Sequence, residues 1–427
     1  MPQVAFATLG CRLNQAESDQ MAESLERYGF VSGPNESADL VVVNTCTVTR
    51  EATKASRSAI RRAVRANPDA KVVVIGCYAV SNPDEVDAIA GVDAVLDNDD
   101  KEAFVEALAT KSRSKGLLRL GFGPPAARTA APARVRANLK LQTGCDEWCS
   151  FCIIPITRGP LRSMDADAVV SEARARVAAG ARELVLTGVH LGKYGYDLGS
   201  DERMLVALLE RLLAIPNVLR IRLSSILSRH LTAELLSLMA ADTRLCRYLH
   251  VPLQSGDDSV LEAMNRPYRI DDYVDSVRRA RRALPDLALA TDLIVGFPAE
   301  TDAAFANTMR VVRELSFSKL HVFRYSPRPD TAAAELADSV SPEVKKARSK
   351  ALIEAGNRIR RQWLEQHLER PLQVLVEDER ETGDAVVCSG QTDDYVRVWF
   401  EGKKLLGSIV EVRGEQVRAD GIRGRIA

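Results

Sequence analysis

The stretch Leu141-Gln-Thr-Gly-Cys145-Asp-Glu-Trp-Cys149-Ser-Phe-Cys152-Ile-Ile-Pro155 constrains this chain more than any other. Its cysteines are separated by three and then two residues, on a loop that follows a short strand-like run. Three thiolates on one tight loop can hold three irons of a [4Fe–4S] cube and leave the fourth iron without a protein ligand. Iron–sulfur sites with four cysteines close the metal off for electron transfer, whereas an open position admits a substrate or cofactor. A cluster with an open corner is how S-adenosylmethionine is bound and cleaved reductively. Two other readings use the same residues. Zinc wants a fourth ligand, and no His or Cys follows nearby to complete a tetrahedron. A disulfide with a spare thiol needs an oxidising compartment.

The compartment can be argued from the chain itself. The N-terminus, Met1-Pro-Gln-Val-Ala-Phe-Ala, has no basic stretch followed by a long apolar one, as a secretory signal would. No apolar run approaches the ~20 residues of a membrane span. Eight cysteines in such a chain are expected to be reduced thiols in the cytoplasm, available to bind metal and away from any membrane. Lys+Arg and Asp+Glu are 58 each, so bulk charge does not announce a nucleic-acid binder. Any RNA contact has to come from local patches, such as the basic helix expected over 50–66.

Before the cysteine loop, strands are expected at 4–8, 40–44 and 71–75, alternating with helices at 14–28, 50–66 and 83–90. This pattern predicts an open α/β domain with a parallel sheet over 1–120. Cys11, Cys46 and Cys77 each lie just past the C-terminal end of one of those strands. Loops at that end of an open sheet converge on one crevice, so the three are expected to share a metal site. The plainer alternative is three small buried hydrophobes. Residues 121–136, rich in Pro, Ala and Gly, read as a linker.

Six strand–helix units follow within 137–369 and predict a closed or three-quarter (β/α)6 barrel, with chemistry at the C-terminal rim of its strands. Gly188, Ser224, Gln254 and Asp292 fall on that rim. A long helix from Pro342 to about His367 ends this part. Over 370–427 the pattern changes to short β-rich runs at 372–377, 385–388, 395–400, 408–413 and 416–419. These predict a small antiparallel barrel.

The run Cys145-x-x-x-Cys149-x-Phe151-Cys152, followed by Ile153-Ile154-Pro155-x-x-Arg158-Gly159, resembles the radical S-adenosylmethionine methylthiotransferases. The likeness continues in Thr8-Leu-Gly-Cys11-Arg-Leu-Asn14-Gln-Ala-Glu17-Ser18, Asn44-Thr-Cys46-Thr-Val-Thr, His250-Val-Pro-Leu-Gln254-Ser-Gly256 and Thr291-Asp-Leu-Ile-Val-Gly-Phe-Pro298. It implies two [4Fe–4S] clusters, one on Cys145, Cys149 and Cys152 and the other on Cys11, Cys46 and Cys77. S-adenosylmethionine would serve both as methyl donor and as source of the radical that opens an unactivated C–H bond. Phe151 would lie against the adenine of that cofactor, Gly188 would let backbone approach it, and Ser224, Gln254 and Asp292 would face its ribose or amino-acid part. The C-terminal runs resemble the TRAM domain, an RNA-binding barrel.

Within the family, the N-terminal motifs and the following Lys54-x-x-Arg57-x-x-Ile-Arg61-Arg62 look most like the branch that methylthiolates C2 of N6-threonylcarbamoyladenosine 37 in tRNA. The alternatives are isopentenyladenosine 37 of tRNA or an aspartate of a ribosomal protein. Implied partners are the tRNA anticodon loop, an electron donor and a sulfur source. Two non-catalytic rivals are a two-cluster electron carrier and a redox-sensing RNA-binding protein. The chain departs from the family at Leu227-Ser228, where Glu-Pro is usual, and at Asp330, where Gly is usual and a changed turn is expected. His190, His250 and His321 are not spaced as metal ligands and are expected to satisfy backbone groups. Cys246 and Cys388 read as ordinary thiols.

Overall fold

The apolar runs around Val41–Val43 and Val72–Val74 become central strands of a five-stranded parallel sheet in the computed structural model of the chain. The structure describes residues 1–101, 103, 104, 106, 134–201, 203–337, 339–368, 370–383 and 385–427. The sheet runs in the order β2 (Val31–Ser32), β1 (Gln3–Thr8), β3 (Leu40–Thr45), β4 (Lys71–Gly76), β5 (Ala94–Val95). All six residues of β3 are buried because both faces are covered. Val42 and Val73 pack with Met21 and Leu25 of helix α1 (Arg12–Arg27). Val41, Val43, Val72 and Val74 pack with Ala59, Ile60 and Ala63 of helix α2 (Arg50–Ala66). The expected helix over 83–90 is shorter, Pro83–Asp87, and a further short helix, Cys77–Ser81, precedes it.

The expected linker lies outside the described residues as far as position 133, and its last residue, Arg136, instead opens a strand. Six parallel strands follow in sequence order: β6 (Arg136–Lys140), β9 (Glu183–Thr187), β10 (Arg220–Leu223), β11 (Tyr248–His250), β12 (Ala288–Val295) and β13 (Lys319–Arg324). A two-stranded pair, β7 (Gln142–Thr143) and β8 (Arg162–Ser163), brackets the cysteine loop. Parallel bridges Ile221–Leu245 and Ser225–His250 join the halves β6-β9-β10 and β11-β12-β13. Among the described residues nothing pairs β13 with β6, so the barrel is the three-quarter form. Helix α1 packs beside β6 at the open side, and the helix Pro342–Glu365 packs on β13. The expected N-caps are present: Asp165 accepts from two backbone N–H groups, and Ser341 accepts from Val344 N ahead of Pro342. Among the described residues no helix is long and apolar enough to cross a membrane.

The last five strands, β14 (Pro371–Thr382), β15 (Ala385–Gln391), β16 (Arg397–Glu401), β17 (Ile409–Val417) and β18 (Gly421–Ile426), close in the order β14-β15-β16-β18-β17. Two sequence expectations need correction here. The runs at 408–413 and 416–419 are one strand, irregular between Gly414 and Gln416, and β18 was not foreseen. The barrel is also not wholly antiparallel, since β16 and β18 run parallel.

This barrel is fastened to β10 by two arginines. Arg220 donates to the carbonyls of Gln391 and Gln373, and Arg222 to those of Asp393 and Thr392. Arg222 also pairs with Glu183 at 2.7 Å, both side chains being 0% exposed, and its guanidinium lies over the Tyr395 ring. Replacing Arg222 by Met would strip Glu183 of its principal partner in a dry site. R222M is therefore expected to cost about 3–5 kcal/mol, read as a lowered urea midpoint. An unchanged midpoint would mean that Arg136, 2.9 Å from Glu183, suffices alone.

Candidate active site

Each N-terminal cysteine owes its place to a local backbone device. Gly10 has φ +91°, and a Cβ there would stand 2.8 Å from Cys46 Sγ, so the Cys11 turn lies directly against Cys46. Cys11 then caps helix α1. Ser56 of α2 pins the Cys46 peptide on both sides, accepting from its N–H at 3.0 Å and donating to its carbonyl at 2.8 Å. Gly76, at φ +98°, lets β4 turn within contact of Thr45 and delivers Cys77 at the start of its short helix. Burial pushes the Cys46 thiol up to about 11, and the Cys77 and Cys11 thiolates add to the rise. The three cysteines, far apart in sequence, are thus brought together beyond the ends of β1, β3 and β4.

The second trio sits on the loop bracketed by β7 and β8. Gly144, at φ +68°, passes so close to Pro160 that no side chain fits. Ser150 tethers the loop, its N–H donating to Met264 and its hydroxyl to the Ala263 carbonyl. Arg266 Nη1 stands 3.1 Å from Cys149 Sγ. Burial pushes Cys145 up to about 11 and Cys152 up to about 12, with the neighbouring thiolates of the loop reinforcing both. Two groups of three thiols, each on glycine-shaped loops, form a donor set suited to iron–sulfur clusters with an open iron.

A buried network ties the two loops together. Arg158, six residues after Cys152, donates to Glu17 Oε1 at 2.8 Å and to Asn14 Oδ1 at 2.5 Å, both on α1. Lys101 Nζ reaches Glu17 Oε2 at 2.6 Å and Asn44 Oδ1 at 3.2 Å. These cations overcome the burial that would raise Glu17, holding its carboxyl well below the ordinary range.

Beside Cys11 and Cys46 lies a cavity of about 1080 Å³. Cys11 and Cys46 line it on one side, Gly188, Ser224, Gln254 and Asp292 on another, and Tyr395 and Arg397 of the small barrel on a third. Ile154, two residues past Cys152, also reaches it. Ser224 Oγ is buried there without a hydrogen-bond partner among the described residues, a group that a bound polar molecule would satisfy. Gln254 keeps φ +70°, rare for a residue with a side chain, braced by its N–H to the Asp292 carbonyl and by its own carbonyl to Ile294 N–H. Phe151 is not part of this lining; its ring stands edge-on to Phe297, 6.5 Å away, in an apolar cluster with Met264 and Tyr325.

Sequence reasoning missed the carboxylate–imidazole cluster. Asp292 Oδ1 is 3.0 Å from His250 Nε2 and 3.1 Å from His321 Nδ1. The His250 contact is close but poorly aligned for a hydrogen bond. Against burial, which would raise it, the two imidazoles hold the Asp292 carboxyl well below its usual range. His190 likewise lies 3.6 Å from Glu147 and stacks edge-on with His230. The expectation that these three rings satisfy backbone groups gives way to pairing with carboxylates. Strand register brings the three together, with His321 opposite Asp292 and His250 opposite Ala290, and that requires the β11-β12-β13 order. The departures resolve simply. Leu227 and Ser228 are buried at the entry to a short 3-10 turn. Asp330 adopts φ +62°, so the left-handed turn natural to Gly is retained, at a cost of about 1 kcal/mol.

Residues 3–97 match the family described as Uncharacterized protein family UPF0004, and residues 139–312 match the Radical SAM superfamily. The chain is 38% identical to the threonylcarbamoyladenosine tRNA methylthiotransferase MtaB of Bacillus subtilis, covering 97% of this chain and 94% of that protein. It is 35% identical to the MtaB of Thermotoga maritima, over 99% and 96% of the two chains. A tRNA-2-methylthio-N(6)-dimethylallyladenosine synthase of Endomicrobium trichonymphae is 32% identical over 98% of each. Among solved structures, the radical S-adenosylmethionine methyltransferase TsrM of Kitasatospora setae shares the fold at 16% identity, with a TM-score of 0.58 over 78% of this chain and 77% of that one.

Proposed function

The chain belongs to the MtaB-like radical S-adenosylmethionine methylthiotransferases, and from that premise we propose that it methylthiolates C2 of N6-threonylcarbamoyladenosine 37 in tRNA. The observation that carries the reading is the single cavity onto which Cys11, Cys46 and the cofactor-rim residues all open. When bound, two [4Fe–4S] clusters and S-adenosylmethionine supply reductive cleavage, hydrogen abstraction and a methylated sulfur.

The residues of the chain do the holding and aiming. Cys145, Cys149 and Cys152 would ligate one cluster, and Arg266 would offset the negative charge at Cys149. Cys11, Cys46 and Cys77 would ligate the other. Ser224, Gln254 and Asp292 would take the polar parts of S-adenosylmethionine, with His250 and His321 keeping Asp292 ionised, and Gly188 would leave room for it. Phe151 would act from behind the loop by packing it against Phe297. The Glu17–Arg158 network holds the two cysteine loops at a set separation, which is what the transfer of a group between two sites demands.

The unit over 1–120, the barrel unit over 137–369 and the TRAM-like unit over 370–427 would divide this work, with the last contacting RNA. Lys54, Arg61, Arg62 and Arg65 of α2 face solvent and would meet anticodon-arm phosphates. An electron donor and a sulfur source complete the reaction, in the cytoplasm where the tRNA is.

Nucleoside mass spectrometry of tRNA from cells with and without the gene tests the reading. The 2-methylthio form of threonylcarbamoyladenosine should disappear and its unthiolated precursor accumulate. A fall in the isopentenyl counterpart instead would reassign the substrate. No change in any tRNA nucleoside would overturn the RNA reading.

A further inference from the structure

Three cations on the cavity wall have no carboxylate within salt-bridge distance among the described residues: Arg12, Lys319 and Arg360. They come from three places in the fold, namely the first residue of α1, the first residue of β13 and the helix Pro342–Glu365. Their contacts are neutral. Arg12 donates to the Tyr395 hydroxyl and lies 5.1 Å over that ring, and Arg360 reaches only the Ser318 carbonyl, at 3.5 Å. The remaining charges of the lining are accounted for. Arg158 is taken up by Glu17, Arg397 is turned to Ser389 and the Trp399 ring, and Asp292 is held between two imidazoles. Asp420, exposed at the margin, is the other acidic group on the wall.

Converging cations without a counter-charge are costly in a partly enclosed site. Burial, followed by repulsion from Arg360 and Arg12, lowers the Lys319 ammonium from its ordinary value. An anion entering between them would relieve both effects, and a planar carboxylate suits the guanidinium fork. The proposed substrate carries one such group. A threonylcarbamoyl substituent ends in a carboxylate, whereas an isopentenyl substituent is wholly apolar and an unmodified adenine has neither.

We propose that Arg12, Lys319 and Arg360 form the subsite that reads the carboxylate on the N6 substituent of the target adenosine and so select it over apolar N6 substituents. This rests on the reaction proposed above and identifies the residues that set its specificity. Arg12 adjoins Cys11, so a carboxylate gripped there would hold the base beside the N-terminal cysteines. The trio are positioning residues and touch no reacting atom.

The test uses the full-length, cluster-reconstituted enzyme and three anticodon stem-loops, bearing threonylcarbamoyladenosine, its carboxamide analogue or isopentenyladenosine. All share the same phosphates, so a phosphate-binding role would affect them alike. Wild type should prefer carboxylate over carboxamide by at least about tenfold in kcat/KM. In Lys319→Met and Arg360→Gln that preference should shrink toward one, mainly through a raised KM. Iron content and the far-UV spectrum of each variant check that it is folded and loaded. A wild type indifferent to the carboxamide, or variants that keep the full preference, would overturn the subsite while leaving the reaction in place. An enzyme inactive on the threonylcarbamoyl stem-loop yet active on the isopentenyl one would overturn the reaction reading, and the subsite with it.

Discussion

Cys149→Ala is expected to lose half of the bound iron and sulfide, to stop cleaving S-adenosylmethionine, and to reduce methylthiolated product by at least ~10³-fold. Cys149 is the middle cysteine of its loop. Cys145 and Cys152 are the other two thiols of that loop, and the side chain 3.1 Å from its sulfur is a cation, Arg266. Removing the thiol would leave two donors for three irons and a guanidinium aimed at the gap. Cys46→Ala should give a contrasting result: cleavage of S-adenosylmethionine persists and product formation fails, because that cysteine belongs to the other trio. Arg266→Gln should be milder than either, costing about 10–100-fold, the usual effect of a residue that supports a metal ligand. Cleavage products from Cys149→Ala at the wild-type rate would count against the assignment of the loop.

Glu17→Gln should cost about 3–5 kcal/mol of stability. The change leaves Arg158 and Lys101 buried with a neutral partner; their side chains are 1% and 2% exposed and Glu17 is 3% exposed. The pH dependence has a defined sign. Because the folded-state carboxyl is held below its ordinary value of 4.5, its contribution is fully present above that pH. It is lost as pH falls toward the folded-state value. Urea midpoints of wild type and Glu17→Gln, measured on the metal-free protein between pH 7 and 3, should therefore stay apart down to about pH 4.5 and narrow only below it. Parallel curves would show that the network contributes nothing specific. A loaded enzyme carrying this change should also show S-adenosylmethionine cleavage uncoupled from product, since the same contacts set the separation of the cysteine loops.

Much of this layout could be read along the chain, and the exceptions have physical causes. The runs around Val41–Val43 and Val72–Val74 are apolar on both faces, a pattern that suits a strand covered on both sides. The position of a cysteine just after each such run therefore predicted its place in the crevice. Asp165 and Ser341 announced their helices because a cap acts within three residues. Strand β18 escaped notice because Gly421-Ile-Arg-Gly-Arg-Ile426 exposes Arg423 and Arg425 and buries little more than Ile422. The bulge near Gly414 made one strand look like two.

Glu17 did leave a trace. It falls four residues after Leu13 and four before Met21, on the buried stripe of α1, where a carboxylate needs a partner. The partners themselves, Lys101 and Arg158, lie 84 and 141 residues away, and no local rule finds them.

The sequence by itself placed each N-terminal cysteine just after a strand, made the first sheets parallel and set the rim positions, because these follow from short-range periodicity and spacing. Only the tertiary structure decided that Asp292 sits between His250 and His321, that Phe151 packs edge-on against Phe297, and that Arg12, Lys319 and Arg360 converge without a counter-charge among the described residues. Those are relations between elements, set by strand order and helix docking. Their energetics depend on which charges burial forces together, and no residue carries that information alone.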